Sequence, residues 1–166
     1  MRAVRWAVLP VTAGIGVAVV LGVYGRLHTP PDLVVDFPFK AALATGAAAL
    51  ALLQVILALA MYGRLPGIAA GPPLAAVHRW TGRLAMLLSL PVAAHCLYLL
   101  GFRSGEVRVL IHSLCGCLFY GAFVAKMLVL GRPENDRGWA VPIAGATVFT
   151  AITGAWLTSA LWFFTG

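Results

Sequence analysis

Leu90-Pro-Val-Ala-Ala-His95-Cys-Leu-Tyr-Leu-Leu100, Gly101-Phe-Arg-Ser-Gly-Glu106 and Val107-Arg-Val-Leu-Ile-His112 read as the end of one apolar run, a short polar turn and the start of the next. Two apolar runs joined by so brief a turn form antiparallel neighbours. With Leu100 and Val107 as helix ends, His95 and His112 each lie five residues inside their runs. That is roughly 8 Å below a membrane interface at about 1.5 Å per residue. Ionisable side chains at such depth are costly and mark function, and two imidazoles at one level match the axial demand of a b-type haem.

Working outward, the rest of the chain confirms the solvent. Of 166 residues, 61% are hydrophobic and 10% charged, against about 25% charged in soluble domains. Five runs reach the roughly 20 apolar residues that a bilayer crossing needs: about 6–24, 40–62, 75–100, 107–130 and 139–164. The reading is an all-α membrane protein, one transmembrane domain over 1–166, with helices 2–5 forming a four-helix core bundle and helix 1 at its side. Arg2 and Arg5 precede the first run as in a signal peptide. The run is long and Val17-Ala18-Val19 is a poor cleavage site, so a retained span is expected.

The net charge of +7 does not imply nucleic acid, because the cations sit in tails, loops and helix ends with no basic run. They set topology instead. An N-terminus inside places Arg2, Arg5, Arg64, Arg79, Arg83, Lys126, Arg132 and Arg137 on the cytoplasmic side, against Arg26, Lys40, Arg103 and Arg108 outside. Eight against four predicts a cytoplasmic N-terminus in a multi-pass plasma-membrane protein, with His28, His95 and His112 toward the outer face and His78 toward the cytoplasm. Asp32 and Asp36 read as solvated loop carboxylates beside Lys40. Ala44-x3-Ala48, Gly121-x3-Ala125 and Thr150-x3-Gly154-x3-Thr158 have helix-packing spacing, and Trp139, Trp162, Phe163 and Phe164 suit the interfacial belt.

His95 and His112 are the leading metal ligands. Packed helices lie about 8–10 Å apart, too close for a haem between two imidazoles, so their helices are expected to splay or to stand diagonally. His78 opens the third run in His78-Arg-Trp-Thr-Gly-Arg83. Gly82, four residues on, shares its face and would leave room for a flat macrocycle, while Arg79 and Arg83 could hold propionates. His78 and His95 are roughly 25 Å apart along one helix, so they cannot share an iron. Trp80 and Tyr98 are candidate pocket walls. A competing soft-metal site for copper or zinc would use Cys96 and Cys115 with the two histidines, although residues 95 and 96 point about 100° apart on a helix. Cys117 is the third cysteine, and the odd count at membrane depth does not suggest a disulfide framework. No constellation for hydrolytic catalysis, no phosphate loop and no nicotinamide or flavin domain is present.

The layout, His78-x-x-x-Gly82 at a helix start with inward histidines at helix ends, resembles the membrane b-type cytochromes of the cytochrome b561 and ferric-reductase-like group. That resemblance implies ligands from antiparallel helices and electron passage across the bilayer. Over its whole length the chain also resembles a family of small actinobacterial membrane proteins of unassigned function. His78-Arg-Trp-Thr-Gly-Arg83, Leu90-Pro-Val-Ala-Ala-His95, His112-Ser-Leu-Cys-Gly-Cys-Leu-Phe-Tyr-Gly121, Ala122-Phe-Val-Ala-Lys-Met127 and Trp156-Leu-Thr-Ser-Ala-Leu-Trp162 carry it. The expectation is a haem b protein, with one haem or two, relaying single electrons between a quinone and an extracytoplasmic redox partner, alone or in a homo- or hetero-oligomer. The alternatives are a copper or zinc protein and an accessory subunit without a cofactor.

Overall fold

The structure, a computed structural model, describes residues 2–31, 37–133 and 138–165, with side chains of the first helix from Ala7 onward. Expectations resting on Asp32, Asp36, Arg137 and the side chains of Arg2 and Arg5 fall outside the described residues. The chain is helical: α1 (Arg2–Leu27), α2 (Phe37–Met61), α3 (Pro72–Ala94), α4 (Val107–Leu130) and α5 (Ala140–Trp156). All five belong to segments long and apolar enough to cross a membrane. The boundaries lie within a turn of those expected. Large apolar side chains such as Val11, Ile15, Val19, Leu52, Leu87 and Leu118 face outward, as lipid-facing positions of a membrane bundle do.

Two helices end in π-helical turns. α3 runs on as His95–Leu100 and α5 as Leu157–Leu161 before a last turn Trp162–Thr165. Each has a local cause. Pro91 lies inside α3 one turn before its π stretch, and a proline removes a ladder donor. In α5 the Ala155 carbonyl accepts from Ser159 Oγ at 2.7 Å and Thr158 Oγ1 at 3.2 Å, and also from His112 Nδ1 at 3.0 Å. Hydroxyls bonding back onto a carbonyl loosen the regular ladder. Both π turns lie at the end of the bundle that carries the α3–α4 hairpin, and such turns concentrate at functional sites.

The packing order is α3 on α2, α2 on α5, α5 on α4 and α4 on α1. The backbones of α3 and α4, neighbours in sequence, stand apart, and side chains such as Tyr120 and Ser89 bridge them. The first helix is more than a lateral addition, because it packs extensively on α4, from Cys117 to Ala125. A Cβ on Gly14 would lie 2.7 Å from the Gly121 carbonyl and 3.0 Å from Ala125 Cβ, and one on Gly121 would collide with the Gly14 carbonyl. The Gly121-x3-Ala125 spacing therefore serves the α1–α4 contact, where only backbone-to-backbone approach fits. At the hairpin end Phe102 N donates to Gly25 O at 2.7 Å, and Gly101 turns the chain with a positive φ of 70°.

The far end is closed by polar locks. Gln54 Nε2 donates to the His78 carbonyl at 2.7 Å and to Thr81 Oγ1 at 2.6 Å, joining α2 to α3. Midway, the Tyr120 hydroxyl donates to Ser89 O at 2.9 Å and Trp156 Nε1 donates to Thr45 Oγ1 at 3.0 Å. The core beside them is small and tight: Ala47, Ala51, Phe119, Ala151 and Ile152 are buried together.

Candidate functional site

Splaying of α3 from α4 leaves a cavity of about 360 Å³ at the hairpin end, walled by α2, α3, α4 and α5. Small side chains make the volume. Ala41, Ala44 and Ala47 from α2, Ala93 from α3, Gly116 from α4 and Ala155 from α5 all line it. Its mouth holds three cations, Lys40, Arg103 and Arg108. Arg108 is fixed in place: Nη1 donates to the Thr158 carbonyl at 2.8 Å, and the guanidinium lies 3.9 Å from the centre of the Trp162 ring. Its carboxylate neighbour is Glu106 at 3.7 Å, whose side chain is mostly in solvent.

His112 projects from α4 into this cavity. Its Nδ1 lies 3.0 Å from the Ala155 carbonyl. A carbonyl can only accept, so the ring proton is on Nδ1 and Nε2 presents its lone pair. That lone pair meets the Cys96 thiol, whose Sγ stands 3.6 Å away from the opposite wall. Lys40 lies next to the same thiol. The result is an oriented imidazole facing a thiol across an apolar space with a cationic rim.

The other expected site residues are dispersed. His95 is adjacent to Cys96 but turns toward Phe37, ring centroids 6.4 Å apart, and Phe37 itself lines the cavity. Tyr98 is 48% exposed and stacks on His28 at 4.9 Å, which stacks in turn on Tyr24 at 5.1 Å. His28 thus folds back on the α1–α3 seam rather than standing in solvent. His78, Arg79, Trp80, Gly82 and Arg83 are at the far end. Trp80 is 65% exposed with Arg83 over its ring at 4.7 Å. A Cβ on Gly82 would sit 3.0 Å from Gln54 Oε1, so the space at this glycine holds a glutamine. The cysteines diverge: Cys115 faces Gly154 on α5 and Cys117 faces Gly22 on α1. Among the described residues no group of three or more His, Cys, Asp or Glu side chains is gathered as a metal would need.

Lys40, Ser89, Tyr120 and Trp156 line the cavity although no sequence pattern marks them, whereas Arg108, one of the outer-face arginines expected near propionates, lies four residues before His112 and so on the same face. On α3 the cavity stripe is Ser89, Val92, Ala93, Cys96, Leu97 and Leu100, a helical repeat that contains Cys96 and passes over His95.

Residues 7–166 match the model of a family of unknown function, DUF6529, and the chain belongs to that family. No curated protein and no solved structure matches the chain.

Proposed function

We propose that this member of the family is a membrane b-type haem protein that relays single electrons, with His112 as the residue that would hold the iron inside the cavity at the hairpin end. The observation that carries the reading is the His112 ring, with Nδ1–H held by a main-chain carbonyl and Nε2 turned into the cavity toward the Cys96 thiol. Metal-ligating histidines are oriented by just such a bond from the other nitrogen. The volume suits a small-molecule site, for which about 300–1,000 Å³ is usual. Lys40, Arg103 and Arg108 give the mouth the charge that two propionates need, and arginine forks bind carboxylates well. Haem bound here would supply an iron that gains and loses one electron at a potential set by its ligands and burial.

The chain's own residues would then orient the ligand, exclude water and balance charge. Ala155 fixes the His112 tautomer, the alanine walls leave the space, and the rim cations hold the anionic edge. His95, the expected second ligand, lies against Phe37 and would have to turn to reach the same iron, while adjacent Cys96 already faces His112 and competes with it. The cation distribution supports a cytoplasmic N-terminus. On that topology the cavity is near the outer face of a plasma membrane, where an extracytoplasmic redox protein could exchange electrons with it and a bilayer quinone could serve as the other partner.

One observation favours a second reading. The 3.6 Å approach of Cys96 Sγ to His112 Nε2 is a thiol–imidazole pair of the kind that holds soft metals such as copper or zinc. Purification in detergent from cells supplied with haem separates the readings. A red preparation whose Soret band shifts on dithionite supports haem. A colourless one with stoichiometric copper or zinc overturns haem in favour of the pair. A colourless, metal-free, folded one overturns both and leaves an accessory subunit.

A further inference from the structure

Three cations converge on the mouth of the cavity from three stretches of chain: Lys40 from the first turn of α2, Arg103 from the hairpin turn and Arg108 from the first turn of α4. What holds them is neutral. Lys40 Nζ lies 5.5 Å from the centre of the Phe37 ring. Arg108 is held by the Trp162 ring and the Thr158 carbonyl. The main chain of Arg103 is tied to α4, its N donating to Ser113 Oγ at 3.3 Å and its carbonyl accepting from the same hydroxyl at 3.2 Å. An aromatic face or a carbonyl positions a cation but leaves its charge uncompensated. Among the described residues the carboxylate at this end is Glu106, whose side chain is 73% exposed and 3.7 Å from Arg108, where water screens the pair. The mouth therefore carries an excess of positive charge at the membrane interface, and anionic headgroups are its natural counterpart there.

Behind this rim the chamber is largely apolar. On α2 its wall runs from Lys40 to the buried Ala47, about 10 Å of helix at 1.5 Å per residue. Phe37, Trp162 and Phe163 stand half-exposed beside the mouth, so it opens at the aromatic belt of the lipid interface. An unfilled apolar chamber forfeits packing on every wall, and the nearest matter of matching polarity is lipid. Rim and chamber together select the ligand. A free inorganic anion would use the rim and leave the chamber empty. An uncharged lipid would fill the chamber and leave the cations without a counterpart. A zwitterionic head brings a cation of its own to a mouth that already holds three. A chain with a net-anionic head satisfies both parts, and arginine forks suit its phosphate oxygens.

We infer that the cavity is a binding site for an anionic phospholipid of the adjoining leaflet, with its phosphate on Lys40, Arg103 and Arg108 and one acyl chain in the chamber. The site goes beyond the haem reading and does not depend on it. Where both hold, the two occupants exclude each other, because they use one space and one set of cations.

The test uses the whole protein, produced without added haem, in liposomes doped with phosphatidylglycerol or phosphatidylcholine that bears a diazirine on one acyl chain. Adducts are mapped by mass spectrometry. The phosphatidylglycerol probe should label cavity positions such as Ala44, Val92 and Ile152, with half-saturation at about tenfold lower probe than phosphatidylcholine requires. Gly116 offers a clean variant, because it lines the chamber and a Cβ there meets nothing within 4 Å. Gly116→Phe should fill the space and abolish most cavity labelling. Arg108→Gln should raise half-saturation about three- to tenfold and narrow the preference over phosphatidylcholine. Equal labelling by the two probes, adducts confined to outward positions such as Leu52 and Leu87, or full cavity labelling in Gly116→Phe would overturn the site. Displacement of the label by equimolar oleate would overturn the phospholipid and assign the chamber to a free fatty acid. Selective labelling of a protein that takes up no haem would overturn the haem reading alone. A Soret band on haem addition, with no selective labelling beforehand, would overturn the lipid site alone.

Discussion

At the far end of the bundle Gln54 closes α2 onto α3 and fills the space beside Gly82, whereas at the hairpin end His112, Lys40 and Arg108 stand around a cavity. Both regions are made from the same kind of apolar helix with a few polar groups at depth. The difference lies in what those groups bond to. Gln54 spends its amide protons on the opposing helix, so its polarity becomes a lock. His112 uses one nitrogen on Ala155 and turns the other into the cavity, where it meets the Cys96 thiol, so a ligand there has a single thiol contact to displace. In a bilayer, helix association depends on such contacts and on close backbone approach rather than on the hydrophobic effect. A cavity can therefore persist at one end if the other end and the α1–α4 seam hold the bundle together.

The sharpest way to break this comparison is His112→Ala. It should abolish the low-spin Soret spectrum, while His78→Ala at the locked end leaves it largely intact; the reverse result would exchange the roles of the two ends. The next effect in size concerns the seam. Gly121→Leu puts a side chain into the Gly14 carbonyl, and overpacking of this kind costs about 1–3 kcal/mol. Thermal unfolding in detergent, followed by helical circular dichroism, should show a clearly lowered midpoint. Gln54→Leu removes the lock and should cost about 1 kcal/mol in the same assay without moving the Soret band, since no atom of it faces the cavity. Arg108→Ala, which loses the Thr158 bond and the Trp162 stacking, should weaken haem retention several-fold on dilution into apo-myoglobin, with the band position kept. The smallest effect belongs to Cys115→Ser, whose side chain faces Gly154; its spectrum should match the parent. Cys96→Ser is the companion measurement, because loss of a bound metal there and not at Cys115 would favour the thiol–imidazole reading.

Much of the fold could be read from the residues because membrane helices announce themselves by length and hydropathy. The five spans, the hairpin between Leu100 and Val107 and the use of Gly121 and Ala125 as a close-contact face all follow from that logic. The site was legible only in part. His112 was recognisable as a costly polar group at depth, and it does face the cavity. Its neighbour across the space is Cys96, which the α3 stripe brings there, one residue from the expected His95. Trp80 and Tyr98, the candidate pocket walls, both face outward. The space expected at Gly82 for a macrocycle holds Gln54, 28 residues earlier in sequence.

The amino-acid order alone determined the solvent, the number of crossings and which side chains would be costly to bury. It could not choose the inward face of each crossing. In water a helix reveals that face by contrast between polar and apolar sides; here lipid-facing and cavity-facing positions are equally apolar, and the contrast vanishes. Only the assembled bundle decided it, through the glycine contact that draws α1 onto α4 and the glutamine that ties α2 to α3.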